Sequence, residues 1–138
     1  MAGADFLDTN VLVYAYDPQD AKKHLCAQQW LSKIANGNVA ISAQVMGEFC
    51  ATLIHKYKVH ESVVAVAVDA LAEIPMVSTD AAIIRRALDA RRQYGIHFHD
   101  SLVVAAAERA GCSRLITEDL NDGQVYFGVT VHNPFAGL

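Results

Sequence analysis

Short apolar segments alternate with longer amphipathic segments along this 138-residue chain, and the alternation restricts the fold more than any other feature. The longer segments carry apolar residues at helical spacing. Strands that are separated by helices usually pair in parallel, so we expect an α/β fold whose mainly parallel sheet is covered on both faces. The five predicted strands are ADFLD, VAIS, PMVS, RLITED and VTVHN.

Several predicted helices have recognisable start and stop residues. Asp17 and Pro18 precede a helix that Gly37 ends, and a later helix is expected to start near Asp100 and to end at Gly111. The segment NVLVYAY, which follows the first strand, is compatible with a helix or a turn. Further caps are predicted at Ser42, at Thr79 or Asp80, and at Gly95.

The amino-acid composition and net charge of the chain limit which folds and functions are expected. The chain is 53% hydrophobic and 19% charged, which predicts one packed domain over residues 1–138. Its formal net charge of −4 does not resemble that of most nucleic-acid-binding domains. An acidic nuclease remains compatible with this charge, because bound cations would offset the carboxylates that hold them.

The cysteines and the N-terminal segment indicate in which cellular compartment the protein is expected. Cys26, Cys50 and Cys112 are far apart and form no CxxC pair, which argues against a disulfide framework or a zinc site and favours a reducing cytoplasm. The N-terminal MAGADFLD has no basic segment before a long apolar run, so no secretion signal is expected. No apolar stretch of about 18 residues predicts a membrane span.

Asp8 lies in the middle of the apolar segment ADFLDTNVLVYAY. A lone charge buried there would be strongly destabilising, so its carboxylate must be paired, hydrogen-bonded or bound to a cation. The ordinary structural interpretation is a cap that accepts hydrogen bonds from the backbone of the following turn. The sequence alone leaves these possibilities open.

Other acids are expected near Asp8. Glu118 and Asp119 follow the strand RLIT, and ligands of parallel sheets bind beyond the carboxyl ends of the strands. Asp100 begins a predicted helix, whose free N–H groups stabilise a carboxylate. Each acid also has an ordinary interpretation: Asp100 as a helix cap, Asp119 as a turn residue, and Glu48, which falls outside the apolar stripe of its helix, as a surface acid.

Three segments, taken in chain order, resemble the acidic sequence blocks of PIN domains. DFLDTNVLVYAY resembles the opening block, SAQVMGEF the second, and FHDSLVVAAAERAGCSRLITEDL the third and fourth. The resemblance extends over nearly the whole chain. With LITEDLNDGQ near its end, the chain is most similar to the VapC-type ribonuclease toxins of bacterial type II toxin–antitoxin systems.

The resemblance implies a three-layer α/β/α fold with a five-stranded parallel sheet in the order 3-2-1-4-5. It also implies a ribonuclease that uses Mg²⁺ or Mn²⁺ to activate the water that hydrolyses the phosphodiester bond. The residues it assigns to metal binding and catalysis are Asp8, Glu48, Asp100 and Asp119. Thr9, Asn10 and Thr117 are expected to hydrogen-bond these ligands or the scissile phosphate, while Glu118 and Asp122 are weaker candidates.

The same resemblance implies a homodimer in the cytoplasm that a VapB-like antitoxin neutralises, with no membrane association. Other side chains have two interpretations from the residues alone. Tyr14 is compatible with core packing or with stacking on an RNA base, and Lys56 with a solvated surface or a phosphate contact. The arginines between positions 85 and 92 are compatible with helical ion pairs or with phosphate binding.

Two other functions share features with this sequence. A haloacid-dehalogenase-type phosphatase would use Asp8 as its nucleophile. That family usually has an Asp two residues later, where this chain has Asn10, and a Lys in the second half, whereas the last lysine here is Lys58. A degenerate PIN domain that only binds a partner is the other alternative, but all four family acids are present.

Overall fold

The computed structural model describes residues 3–138, so Met1 and Ala2 of the predicted domain and N-terminal segment lie outside the described residues. A central sheet is flanked by helices, which confirms the predicted α/β class. The strands are β1 (Asp5–Leu7), β2 (Val39–Ser42), β3 (Met76–Val77), β4 (Arg114–Ile116), β5 (Val125–Tyr126) and β6 (Val129–His132). The helices are α1 (Thr9–Tyr16), α2 (Ala21–Ser32), α3 (Ala43–His55), α4 (Glu61–Leu71), α5 (Ala81–Tyr94) and α6 (Phe98–Arg109), and a 3₁₀ turn (Lys33–Asn36) extends α2.

The sheet has the order β3-β2-β1-β4-β6-β5, so the predicted count of five strands is wrong by one. Five strands are parallel, and the predicted last strand takes the fifth place as β6. The additional strand β5 pairs antiparallel with β6 through a two-residue turn, in which Phe127 and Gly128 both have positive φ. A strand of two residues shows no alternation of apolar and polar side chains, so the sequence pattern does not reveal it.

The crossovers between parallel strands place helices on both faces of the sheet. Right-handed crossovers put α1 to α4 on one face and α5 with α6 on the other. Consistent with this arrangement, α1 packs against α2 and α3, while α5 packs along α6. The central strand β1 is fully covered, since Phe6 and Leu7 have no exposed surface. Within residues 3–138, no helix combines the length and apolarity needed to cross a bilayer.

Helix boundaries differ from the sequence expectations at two places. Helix α2, which the sequence predicts to start at Asp17 and Pro18, begins at Ala21. The Asp20 side chain caps it by accepting a 3.1 Å hydrogen bond from the Lys23 amide. Helix α6 begins at Phe98, which places Asp100 inside its first turn rather than at its start. The predicted caps at Ser42, Asp80 and Gly95 are confirmed.

The central strands bring two sequence-distant segments to the same edge. Strands β1 and β4 are neighbours, with Leu7 paired to Ile116. Their next residues, Asp8 and Thr117, therefore leave the sheet side by side, and the Asp8 amide donates a 3.1 Å hydrogen bond to the Ile116 carbonyl. This edge is where the sequence predicts a site.

Candidate active site

Asp8 is both the end of the central strand and the cap of helix α1. Its carboxylate is 4% exposed. The Thr9 amide donates to its Oδ1 at 2.7 Å, and the Thr117 hydroxyl donates to its Oδ2 at 2.8 Å. Among the described residues, no Lys, Arg or His nitrogen forms an ion pair with it. Two hydrogen bonds thus hold the carboxylate in place without supplying a compensating positive charge.

Three carboxylates that are far apart in the sequence meet beyond this edge of the sheet. Asp8, Asp100 and Asp119 each offer an oxygen atom, and these atoms all lie within 4.8 Å of one another. Asp8 comes from the end of β1, Asp100 from the first turn of α6, and Asp119 from the loop after β4. We call these residues the carboxylate triad. All its donor atoms are hard oxygens, the kind that Mg²⁺ and Mn²⁺ prefer.

Two members of the carboxylate triad, Asp8 and Asp100, have raised pKa values. Burial raises the pKa of Asp8 from 3.8 to about 7, despite its two hydrogen bonds, and the charges of Asp119 and Asp100 add to the rise. Burial also raises the pKa of Asp100, as does the neighbouring charge of Asp119, while His97 and His99 act in the opposite direction. A cation bound among these carboxylates would remove the repulsion and favour their ionised forms.

Asn10 and Thr117 connect the members of the triad. The Asn10 side-chain amide donates to Oδ2 of Asp119 and to the Thr117 hydroxyl, both at 3.1 Å. The Asp119 amide donates to the same hydroxyl at 3.0 Å. The Oδ1 atom of Asn10 is buried and accepts no hydrogen bond from any described residue. This buried acceptor fits a hydrogen-bond donor such as a water held by a cation, so the residues around the triad suit a hydrated metal ion.

Glu48 lies beside the triad but is not one of its members. It is half-buried on α3, where the Thr9 hydroxyl donates to its Oε2 at 3.1 Å and the side-chain amide of Gln44 donates to its Oε1 at 2.9 Å. Its charge contributes to the raised pKa of Asp100. The helical periodicity indicated only a surface acid, so Gln44 as its partner was not anticipated.

The two weaker candidates are engaged elsewhere. Glu118 accepts hydrogen bonds from the Tyr14 hydroxyl and from Nζ of Lys23, each at 2.9 Å. Asp122 accepts a 2.9 Å hydrogen bond from the Asn133 amide and so supports a loop. Lys23 was not identified from the sequence, because no local pattern links it to an acid 95 residues away.

A cleft of about 480 Å³ opens beside the triad, and we call it the α1–α3 cleft. Asp119 stands at its acidic end, which places the cleft next to the carboxylate triad. Residues of both helices line it: Thr9, Val13 and Tyr14 on α1, and Glu48, Ala51 and Lys56 at α3 and its end. Several of the predicted site residues therefore line an open cleft next to the carboxylate triad.

Comparison with solved structures gives several proteins of similar fold. VapC20 of Mycobacterium tuberculosis, described as a Sarcin-Ricin loop cleaving toxin, has a TM-score of 0.66 and 24% identity over 81% of this chain and 87% of its own. A toxin–antitoxin complex from Klebsiella pneumoniae contains a chain with a TM-score of 0.70 and 21% identity, over 96% of this chain and 98% of that one. VapBC2 from Rickettsia felis, solved with a promoter DNA fragment, contains a chain with a TM-score of 0.67 and 18% identity, over 94% of this chain and 98% of that one.

At these identities the structural likenesses show a shared fold. No curated protein sequence matches the chain. The model of the PIN domain, however, matches residues 6–127, which include Asp8, Glu48, Asp100 and Asp119. A match over most of the sequence, together with the observed sheet and its acidic edge, assigns the chain to the PIN-domain family.

Proposed function

We propose that this protein is a divalent-metal-dependent endoribonuclease, a VapC-like toxin that hydrolyses RNA phosphodiester bonds. The observation that carries the proposal is the carboxylate triad, whose oxygens converge at the sheet edge, where no Lys, Arg or His of residues 3–138 forms an ion pair with Asp8. The PIN-domain match and the likeness to VapC20, itself described as cleaving the Sarcin-Ricin loop, support it.

Asp8, Asp100 and Asp119 would hold Mg²⁺ or Mn²⁺. When bound, such a cation activates a water molecule and neutralises charge that develops on the phosphate. The chain's own residues position these ligands: Thr117 and the Thr9 amide orient Asp8, and Asn10 orients Asp119.

Glu48 is the fourth acid that the resemblance assigns to metal binding and catalysis. Held by Thr9 and Gln44 at one side of the triad, it would accept a hydrogen bond from a water bound there, rather than act as a fourth direct ligand. In this position it would help to orient the attacking water and to receive its proton. The hydroxyl of Thr9, which already donates to Glu48, keeps the carboxylate turned toward the site.

The partners are part of the proposal. A VapB-like antitoxin would inhibit the enzyme by occupying its acidic site. The likeness to chains of the toxin–antitoxin complexes from Klebsiella pneumoniae and Rickettsia felis supports a partner of this class. We also propose a homodimer in the cytoplasm, where free thiols at Cys26, Cys50 and Cys112 are stable. Sedimentation at micromolar concentration tests the dimer, because a monomer there would contradict it.

The decisive test is cleavage of total bacterial RNA by the purified protein with EDTA, Mg²⁺ or Mn²⁺. We expect cleavage only with added metal, and expect Asp8→Asn to abolish it while the protein stays folded. Asp122→Asn is the matched control, since the amide oxygen can still accept the Asn133 hydrogen bond. Cleavage that persists in EDTA and in Asp8→Asn would refute the metal mechanism. Hydrolysis of p-nitrophenyl phosphate without RNA cleavage would instead support the phosphatase.

A further inference from the structure

We infer that the α1–α3 cleft binds one nucleotide of a single-stranded RNA beside the scissile phosphate, with Lys56 contacting the neighbouring phosphate. The inference rests on the proposed ribonuclease function and identifies where the substrate lies. It adds Lys56, Ala51 and the two tyrosines of the cleft, none of which belongs to the carboxylate triad, as substrate-binding residues.

Two helical faces form the walls of the cleft. On α1, Thr9 and Val13 are four residues apart and lie on the same face. On α3, Glu48 and Ala51 continue toward Lys56, which still has helical backbone angles at the C-terminal cap. At the helical rise, Glu48 and Lys56 are separated by about 12 Å along the axis. The cleft therefore leads away from the triad along a helix.

Charge varies along this direction. Asp119 and Glu48 lie at the end that would hold the metal, and the exposed Lys56 lies at the other. Glu118, which also lines the cleft, forms a 2.9 Å ion pair with Lys23 that offsets its negative charge. A phosphate-bearing strand would thus meet Lys56 at one end of the cleft and the proposed metal site at the other, and basic contacts of this kind hold the backbone of a nucleic acid.

The middle of the cleft suits a base and a ribose. Val13 and Ala51 contribute apolar surface to the lining, which also includes the rings of Tyr14 and Tyr57. Lysine ammonium groups lie near both rings, with Lys23 Nζ 4.8 Å from the centroid of Tyr14 and Lys56 Nζ 5.3 Å from that of Tyr57. Both phenol groups are anchored, Tyr14 to Glu118 and Tyr57 through a 2.8 Å hydrogen bond to Asp17. Anchored rings lose little conformational freedom when a base stacks on them.

The cleft volume of about 480 Å³ lies within the usual range of small-ligand sites. Base stacking on protein rings needs a base that is not paired in a duplex, and the backbone beside it must remain free to follow the groove. These two requirements favour single-stranded RNA over a double helix.

Binding is tested in the Asp8→Asn background without added metal, so that the RNA stays intact. The probe is a fluorescein-labelled single-stranded RNA of randomised sequence and about ten nucleotides, and its anisotropy is followed over a series of salt concentrations. Lys56→Glu removes the phosphate contact and Ala51→Leu fills the cleft. Both positions are exposed, so neither change disturbs the core. The matched controls are Lys22→Glu on α2 and Ala65→Leu on α4, exposed residues away from the cleft.

We expect each cleft variant to weaken binding about tenfold, and Lys56→Glu also to reduce the salt dependence by about one ion, while the controls stay within about twofold of the parent. Cleft variants that bind like the parent would overturn the inference, as would a parent that does not bind the RNA at any salt concentration.

Cleavage of the same RNA by protein that retains Asp8 separates this inference from the proposed function. Metal-dependent cleavage with unchanged kcat/KM in Lys56→Glu and Ala51→Leu would refute the cleft assignment and leave the ribonuclease intact. Cleft-dependent RNA binding without any metal-dependent cleavage would refute the ribonuclease and leave the cleft assignment standing.

Discussion

The Thr117 hydroxyl donates a 2.8 Å hydrogen bond to Oδ2 of Asp8 and thereby joins the ends of the two central strands. The hydroxyl oxygen of Thr117 also accepts hydrogen bonds from the Asn10 side chain and the Asp119 amide. A single buried hydroxyl therefore contacts two members of the carboxylate triad and the residue that orients one of them. Removing it should disturb the site more than its small size suggests.

Thr117→Val keeps the shape of the side chain but removes its hydrogen bonds. We expect metal-dependent RNA cleavage to fall about 10–100-fold, because two triad ligands lose a positioning contact. The pKa of Asp8 should rise further, since one of the hydrogen bonds that lower it is lost. Cleavage rates measured against metal concentration check this, with Thr117→Ser expected to recover most of the activity. Thr130→Val on β6 should behave like the wild type; equal losses in both would contradict the assigned role.

Asp8 predicts an unusual dependence of stability on pH in metal-free protein. Its pKa is about 7 in the folded state and 3.8 ordinarily, so between these values the folded state binds more protons than the unfolded state. The contribution of Asp8 to the free energy of unfolding therefore decreases as pH rises from about 4 to 7. Asp8→Asn removes this penalty and should become more stable than the wild type at pH 8, by up to about 4 kcal/mol.

Urea denaturation of both proteins in EDTA at pH 4 and pH 8 measures this difference. Adding Mn²⁺ at pH 8 should stabilise the wild type and leave Asp8→Asn nearly unchanged, because a ligand that binds only the folded state raises its stability. A difference between the two proteins that does not change with pH would show that folding does not raise the pKa of Asp8 in metal-free protein, which would contradict the prediction.

Asn10→Asp should make the fold dependent on metal. The Asn10 amide now lies 3.1 Å from Oδ2 of Asp119, and a carboxylate in its place would repel that oxygen. We expect a lower Tm in EDTA than for the wild type and a larger increase in Tm on adding Mn²⁺. Asn38→Asp, an exposed change that adds the same charge, serves as the control in thermal melts. Unchanged melting in EDTA would contradict the proximity on which the prediction depends.

The opposite end of the central strands carries a structural ion pair. Arg114 donates to both carboxylate oxygens of the buried Asp5, at 2.8 and 3.0 Å. Arg114→Ala would leave that carboxylate without its partner, so we expect a loss of roughly 2–4 kcal/mol in the free energy of unfolding. RNA cleavage by the folded fraction should be unchanged. Arg92→Ala, whose side chain is 84% exposed, should alter neither quantity in urea titration and cleavage assays.

Much of this arrangement was predictable because it depends on local signals. Asp8 follows a short apolar run, and such runs form buried strands whose ends carry ligands in parallel sheets. Asp119 is expected close to Asp8 for the same reason, whereas Asp100 begins a helix and its place beside them is implied by the resemblance. The three carboxylates do converge in the structure. The α2 start was wrong because Asp17 and Pro18 give a start signal as strong as that of Asp20, and only the hydrogen bond to the Lys23 amide distinguishes them.

The remaining differences depend on long-range contacts or on very short elements. Lys23 pairs with Glu118 because the fold brings α2 beside the loop after β4, a proximity that no periodic pattern contains. Strand β5 exists because the chain reverses at Phe127 and Gly128, and only its pairing with β6 makes two residues a strand. Glu48 was placed by resemblance alone, since helical spacing describes it as an ordinary surface acid.

Both margins of the sheet end in strands of two residues, Met76–Val77 at one side and Val125–Tyr126 at the other. Strands this short offer few unpaired backbone N–H and C=O groups, so another polypeptide could form almost no β-sheet hydrogen bonds with either edge. A second copy or an inhibitor would consequently have to bind this molecule through side chains on its helices and loops. The short edge strands also disfavour aggregation into fibrils by pairing of one sheet edge with another.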